Sequence, residues 1–408
     1  MQTVTIKREI ESAVVFALGK NPASIRLSEI KDWRGVIDFM LNCKLAGIFY
    51  RRLQDEAQLS LVPEDQAERL RQFYYFVALK NKVLLTELKK IWAAFSEKDV
   101  PMVLLKGTSL ILTGVYQMGE RYSADLDFLV DKISRGDLKA IVNKAGYAPV
   151  EHSDKRWWTE EHFIRSGGKL LDEMFSIFLE FHWTFRPLNK GNGREMAESI
   201  FQNCAVTDYH GGKYTIPTPD LQFYQAGIHG SAYHAFDSAY FWVSLADLSA
   251  LSRRANLNYA AIADMAESQG MLEHLGVMGW IMSEKLGLDC GLWKSAVGKM
   301  PYIKPVLEKT GQAVWMGFLS TRAVSFTNLV YFLGKSGLKN RVRAFLELAG
   351  LASGERVEAQ GVRMNYPRSG FFALLSLRLK KIDREFLSLV WQMARFYRTI
   401  KFQIPEDS

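Results

Sequence analysis

Two hydrophobic periods divide the chain along its length. In residues 1–95 and 218–300 apolar side chains recur every three to four positions, which is typical of amphipathic helices. Residues 96–217 instead contain short apolar runs separated by glycine, proline and polar residues, and this pattern indicates strands that alternate with helices. From residue 301 to residue 408 the helical period returns. The chain is therefore predicted to be an α+β protein, predominantly helical, with one small mixed sheet between N-terminal and C-terminal helical regions.

Five segments inside residues 96–217 carry the alternating pattern. The predicted strands are MVLL, ADLDFLV and MFSIFLEFHWTF, and the predicted helices are TSLILTGVYQM and GDLKAIVNKAGY. The first helix is expected to be capped by Thr108 or Ser109, because a hydroxyl can accept a hydrogen bond from its free N–H groups. A polar loop is expected after the second helix. AVTDYH and KYTIP then form a predicted hairpin that turns at Gly211 and Gly212.

The composition is that of an ordinary globular protein. Of the 408 residues, 48% are hydrophobic and 24% are charged, and a chain of this length usually contains two or three domains. Its three cysteines lie far apart without CxxC spacing, which favours a reducing compartment and argues against a cysteine-bound zinc ion. The sequence shows neither a signal-like N-terminus nor an uncharged apolar run of about 18 residues. We therefore expect a cytoplasmic protein without a transmembrane segment.

Positive charge is concentrated towards the C-terminal end. The net charge is +8, and residues 335–401 contain fourteen Lys or Arg against five Asp or Glu, a surplus of nine. Such a region suits an anionic partner such as nucleic acid, anionic lipid or a polyphosphate. Its last part, FFALLSLRLKKIDREFLSLVWQMARFYRTIKF, could form an amphipathic helix on a membrane surface or on a partner protein. A solvated helical face explains the same charges, so both interpretations stay open.

Two aspartates on an apolar strand are the most informative feature of the chain. Because side chains alternate along a strand, Asp125 and Asp127 lie on one face, and adjacent carboxylates repel each other unless a cation lies between them. Glu180 lies in a second apolar strand, with His182 on the same face of that strand. If the two strands are neighbours, these side chains converge. Three carboxylates suit Mg²⁺ or Mn²⁺ and are the arrangement that two-metal phosphoryl transfer needs.

A glycine turn supplies groups that suit phosphate. Gly107 follows the first strand and opens a helix, so backbone N–H groups there can approach phosphate oxygens. Hydroxyl and cationic side chains near it in sequence could contact the same phosphates. These side chains belong to Lys106, Thr108, Ser109 and Arg121.

The ordered set of motifs resembles one known family. LLKGTSL, followed by a Tyr and an Arg, then DLDFLV and LEFHW, is similar to the uncharacterised bacterial nucleotidyltransferases of the DNA polymerase beta-like superfamily. The similarity covers about residues 25–300 and includes WRGVIDFMLNCKLAGIFYRRL, YTIPTPDLQFYQAGIHG and FWVSLADLSAL. The resemblance implies a nucleotidyltransferase core with an NTP as co-substrate. It also implies that Asp125, Asp127 and Glu180 are the catalytic metal ligands.

Further roles follow from the same resemblance. It implies that Gly107, with the hydroxyl residue after it, cradles the triphosphate, although the usual Gly-Ser or Gly-Gly pair is Gly-Thr-Ser here. His229 and Asp247 stand at recurring positions of the downstream helical region. They either contact the base, ribose or acceptor, or are buried structural residues, and the same alternatives apply to His182.

The leading prediction is metal-dependent transfer of NMP from an NTP to an acceptor. The acceptor stays open among a small molecule, a glycan, a peptide, a protein and RNA, and so does the choice of ATP or another NTP. A glycosyltransferase with a DxD motif is disfavoured, because that fold needs several strands before the motif and only one precedes it here. The other alternative is a catalytically inactive nucleotidyltransferase-fold protein that binds nucleic acid, membrane or a partner protein through its basic C-terminal region.

Overall fold

The computed structural model describes residues 2–150, 160–165, 177–184, 193–233, 238–288 and 291–301, with a few further positions up to residue 315. The chain divides into two compact units, Met1–Thr321 and Arg322–Ser408. All described residues belong to the first unit, so the predicted basic helical region lies outside them. None of the described helices is long and apolar enough to span a membrane.

Four helices form the N-terminal region, as predicted. They are α1 (Gln2–Leu18), α2 (Trp33–Asn42), α3 (Ala46–Asp55) and α4 (Glu64–Ser96), with short 3-10 turns at Pro22–Ser24, Leu27–Glu29 and Leu59–Leu61. The helix α2 begins after Asp32, whose carboxylate accepts a hydrogen bond of 2.9 Å from the Gly35 N–H. The helix α4 begins directly after Pro63.

A mixed five-stranded sheet follows these helices. Its strands are β1 (Met102–Leu104), β2 (Asp125–Val130), β3 (Tyr147–Pro149), β4 (Glu160–Arg165) and β5 (Phe178–His182), in the spatial order β1-β2-β5-β4-β3. The central pair, β2 and β5, is parallel, and the other neighbouring strands are antiparallel. The connecting helices are α5 (Lys106–Leu112) and α6 (Arg135–Lys144). The predicted small mixed sheet is confirmed.

The remaining described elements are a hairpin and a helical lobe. They are α7 (Gly193–Gln202), β6 (Cys204–Tyr209), β7 (Gly212–Pro217), α8 (Pro219–Ile228), a π-helical turn (His229–Tyr233), α9 (Ser238–Arg254), α10 (Tyr259–Ser268), α11 (Leu272–Glu284) and α12 (Gly291–Lys299). Pro219 is the first residue of α8 and follows Thr218, and proline suits the first position of a helix. The helix-rich flank on the C-terminal side of the sheet is therefore confirmed up to about residue 300.

One face of the sheet packs against α4. Phe181 of β5 is fully buried, and its ring centre lies 5.3 Å from that of Phe95 in α4 and 5.0 Å from that of Phe128 in β2. Leu84 and Leu88 of α4 join the same apolar cluster. Since alternate residues of a strand point to opposite faces, the residues next to Phe128 and Phe181 point away from α4. That second face carries the polar side chains.

The start of α5 differs from the sequence prediction. Leu105 occupies the capping position and Lys106 is the first helical residue, so Thr108 and Ser109 lie inside the helix. Lys106 has a φ of 52°, in the left-handed region that few residues other than glycine adopt. The helix therefore begins at Lys106, two residues after the end of β1, so neither Thr108 nor Ser109 lies at its start.

The hairpin and the loop after α6 also differ from expectation. The hairpin turns at His210 and Gly211, one residue earlier than predicted, and both have positive φ values of 47° and 77°. Such values suit the two central positions of a tight hairpin turn, so Gly212 joins β7 instead. Part of the predicted polar loop, Glu160–Arg165, is the strand β4. The Trp pair of that loop, Trp157 and Trp158, lies outside the described residues.

Candidate functional site

The register of the two central strands brings the acidic residues together. Asp127 of β2 lies directly opposite Glu180 of β5, and Leu129 lies opposite His182. Asp125 is two residues before Asp127 on the same face of β2. The two strands that carry the acidic residues are therefore neighbours, which was the condition for their side chains to converge. These side chains lie on the sheet face away from α4.

Three of these side chains form a cluster with metal-binding dimensions. One ligand atom each from Asp127, Glu180 and His182 lies within 4.8 Å of the others. His182 Nε2 is 3.4 Å from Glu180 Oε1 and 3.6 Å from Asp127 Oδ1. Asp127 and His182 are buried, and the Glu180 side chain is 17% exposed. Solvent therefore reaches the cluster mainly on the side of Glu180.

A lysine ammonium lies between the two facing carboxylates. Lys106 Nζ is 2.5 Å from Asp127 Oδ1 and 3.4 Å from Glu180 Oε2. Burial by itself would lower the pKa of Lys106, but the charges of Asp127, Glu180 and Asp125 outweigh it and raise the pKa above its usual range. The sequence predicted Lys106 as a phosphate contact. In the structure, its ammonium instead neutralises part of the negative charge of Asp127 and Glu180, which with Asp125 form the carboxylate cluster.

Asp125 lies at the edge of the same cluster. Loss of hydration and the neighbouring charge of Asp127 raise the pKa of Asp125 to about 6, although Lys106 and Arg121 act in the opposite direction. The carboxylates therefore carry more negative charge than one ammonium neutralises. Carboxylate oxygens suit Mg²⁺ and Mn²⁺, and an imidazole nitrogen suits Mn²⁺ better than Mg²⁺. The residues present fit a divalent ion.

The second predicted phosphate cation is also engaged with a carboxylate. Arg121 Nε is 2.8 Å from Asp247 Oδ1, and Arg121 Nη2 is 3.0 Å from Asp247 Oδ2. These two hydrogen bonds connect the segment before β2 to α9. Gly107 packs closely against this arginine. A Cβ atom added to Gly107 would lie 2.7 Å from Ser123 Oγ and 3.2 Å from Arg121 Cζ. A side chain at position 107 would therefore require Ser123 Oγ to move.

The remaining predicted site residues occupy different surroundings. Thr108 and Ser109 are buried. Ser109 Oγ donates to the Lys106 carbonyl at 2.7 Å and accepts a hydrogen bond from Gln222 Nε2 at 3.2 Å. His229 is half-buried at the start of the π-helical turn, with its ring centre 5.8 Å from that of Tyr240 in α9. These contacts hold α5 against α8 and the turn against α9.

One histidine that sequence reasoning left unassigned joins the cluster. His162 of β4 lies opposite Glu180 in the antiparallel β4–β5 pair, and its Nε2 is 3.6 Å from Glu180 Oε1. Glu180 therefore has a histidine on either side. The segment EEHFIR is too short and too charged to predict a strand by period alone. Without the strand, no signal in the sequence connects His162 to the acidic residues.

Comparison with known proteins agrees with this geometry. The family model for uncharacterised nucleotidyltransferases matches residues 29–287, which is more than half of the chain and includes the five-stranded sheet, the carboxylate cluster and most of the helical lobe. No curated protein and no solved structure matches the chain. With its acidic cluster on neighbouring parallel strands and this match, the chain belongs to that uncharacterised nucleotidyltransferase family.

Proposed function

We propose that the chain transfers NMP from an NTP to an acceptor in a reaction that requires a divalent metal, Mg²⁺ or Mn²⁺. The observation that supports this most strongly is the pairing of Asp127 with Glu180 on neighbouring parallel strands, with His182 within 4.8 Å of both. Family membership supports nucleotidyl transfer as the type of reaction. The acceptor is a small molecule, glycan, peptide, protein or RNA.

Asp127, Glu180 and His182 would hold the metal, with Asp125 beside them. A bound divalent ion would neutralise phosphate charge and stabilise the charge that develops around the α-phosphorus. In the transfer, the acceptor oxygen forms a bond to the α-phosphorus, the bond from that phosphorus to the α–β bridging oxygen breaks, and pyrophosphate leaves. Glu180 is more exposed than Asp127, with side-chain exposures of 17% and 3%. We assign it the additional role of accepting the proton of the acceptor.

Two neighbouring contacts support the same site. Lys106 contacts both Asp127 and Glu180 and so holds the two carboxylates close together. The Arg121–Asp247 pair fixes the segment that leads into β2 and therefore the position of Asp125 and Asp127. Both are positioning roles, because each acts through a carboxylate of the cluster or through the strand that carries it.

Nucleotide binding tests the proposal directly. Calorimetry with each of the four NTPs, with and without Mn²⁺ or Mg²⁺, should show metal-dependent binding of at least one NTP by the wild-type protein. Asp127→Asn and Glu180→Gln should abolish that binding, whereas Asp131→Asn should not, because Asp131 is exposed directly after β2. Absence of NTP binding by the folded wild-type protein would refute the transferase and favour the binding-protein alternative.

A further inference from the structure

The two cations predicted to contact phosphate both have carboxylate partners. Lys106 contacts Asp127 and Glu180, and Arg121 forms two hydrogen bonds with Asp247. A triphosphate brings several negative charges, and it needs cations that are not already neutralised. Cations for it must therefore be sought elsewhere around the site.

Lys80 of α4 is a buried cation of this kind. Lys80 as a whole residue is only 7% exposed. Within the described part of the chain, the Lys80 ammonium forms no hydrogen bond and has no carboxylate within 4 Å; its Nζ lies 5.3 Å from the ring centre of Tyr122. Burial lowers the pKa of Lys80, and the charge of Asp125 acts in the opposite direction, so this ammonium lies within electrostatic reach of Asp125.

A second lysine lies at the same ring. Lys44, between α2 and α3, is half-buried, and its Nζ is 4.1 Å from the ring centre of Tyr122. In the described residues it too has no carboxylate partner. Cation–π attraction holds both ammonium groups near one ring, but their like charges repel each other. An anion that contacts both would relieve this repulsion.

The N-terminal helices hold this pair of lysines firmly against the segment before β2. Asn81, next to Lys80, donates hydrogen bonds to the carbonyls of Met118 and Arg121 at 2.7 and 2.8 Å. At Gly47 in α3 the backbone approach is so close that an added Cβ would lie 2.2 Å from the Gly119 carbonyl oxygen. These contacts fix the backbone near both lysines against the segment that leads to Asp125, which follows Tyr122 by three residues.

We propose that Lys80 and Lys44 bind the β- and γ-phosphates of the NTP, so that the N-terminal helices supply the polyphosphate site. The inference rests on the proposed function for the identity of the anion. It assigns the phosphates to cations of α4 and of the α2–α3 connection, and it leaves the α-phosphate for the carboxylate cluster.

Charge-removing variants of the full chain test the proposal. Lys80→Gln and Lys44→Gln should each weaken NTP binding in the presence of Mn²⁺ by at least about tenfold, which is the usual effect of losing one charge-assisted hydrogen bond. Binding of Mn²⁺ alone should stay within about twofold of wild type, since neither lysine belongs to the carboxylate cluster. The matched control is Lys82→Gln, because Lys82 is exposed on the same helix. This control should bind NTP like the wild-type protein.

Inorganic tripolyphosphate separates this inference from the proposed function. Loss of both NTP and tripolyphosphate binding in the two variants supports the site. Wild-type NTP affinity in both variants overturns it and leaves the transferase proposal standing. Tripolyphosphate binding that requires the lysines, without any NTP binding, supports the site but refutes the transferase, and binding of neither overturns both. If Lys80→Gln unfolds, the half-exposed Lys44→Gln decides.

Discussion

Replacing Lys106 with methionine removes one charge from the carboxylate cluster while keeping most of the side-chain volume. The ammonium lies 2.5 Å from Asp127 Oδ1 and 3.4 Å from Glu180 Oε2, and Asp127 is only 3% exposed. Removing one partner of such a buried ion pair leaves the other charges without compensation. The free energy of unfolding of the metal-free protein should therefore fall by about 3–5 kcal/mol.

The same variant should gain more from metal than the wild-type protein does. A divalent ion no longer competes with the ammonium for Asp127 and Glu180, so Mn²⁺ should bind Lys106→Met more tightly. At a free concentration of about 100 times the Kd, Mn²⁺ should restore about 2.7 kcal/mol. Urea unfolding in EDTA and in Mn²⁺ measures both effects.

A surface lysine provides the control for this measurement. Lys139 Nζ is 3.6 Å from Glu161 Oε2, and the Lys139 side chain is 42% exposed. Lys139→Met should cost less than about 1 kcal/mol and should not change the response to Mn²⁺. The reasoning about the cluster is refuted if Lys106→Met is as stable as wild type in EDTA, or if Mn²⁺ stabilises it no more than it stabilises the wild-type protein.

Three further predictions concern contacts around the site and a buried thiol. Asp247→Ala should lower the free energy of unfolding by about 3–5 kcal/mol, because it removes the carboxylate partner of the Arg121 guanidinium, whose side chain is only 11% exposed; adding Arg121→Ala should cost less than the sum of the two single changes in urea unfolding, and additive losses would contradict the pairing. Gly107→Ala should lower both the Tm and NTP affinity, because the new Cβ would lie 2.7 Å from Ser123 Oγ; an unchanged Tm would show that the close approach is not required. Burial raises the pKa of Cys43 to about 12, so iodoacetamide at pH 8 should label its peptide only after unfolding, as read by mass spectrometry, and rapid labelling of the native protein would disprove the burial.

Local periodicity is enough to predict the acidic face of the sheet. Asp125 and Asp127 alternate with buried Leu126 and Phe128 along one strand, and an apolar strand carrying Glu180 can lie beside it in few ways. The sequence therefore indicates which carboxylates share a face and that they need a cation. The observed register, with Asp127 opposite Glu180, agrees with that expectation.

Pairings between distant residues cannot be predicted from local pattern. Lys106 and Arg121 look like phosphate cations in the sequence, because both lie near a glycine turn. In the structure one contacts Glu180, 74 positions later, and the other contacts Asp247, 126 positions later. These partners depend on how helices and strands pack, and no period in the sequence encodes that. His162 was missed for a related reason, since its strand is defined by pairing with β5 more than by its own composition.

The hydrophobic pattern changes near residue 95, where the N-terminal helices end and the sheet begins. The contacts of α4 connect these two regions. The C-terminal half of this helix covers the back of the sheet with Leu84, Leu88 and Phe95. One turn earlier, Asn81 holds the carbonyls of the segment that leads into β2, and Lys80 lies within electrostatic reach of Asp125. A single rigid helix therefore sets both the apolar face that orients the strands and the cation on the polar side. The N-terminal helices are accordingly part of the nucleotide site that we propose.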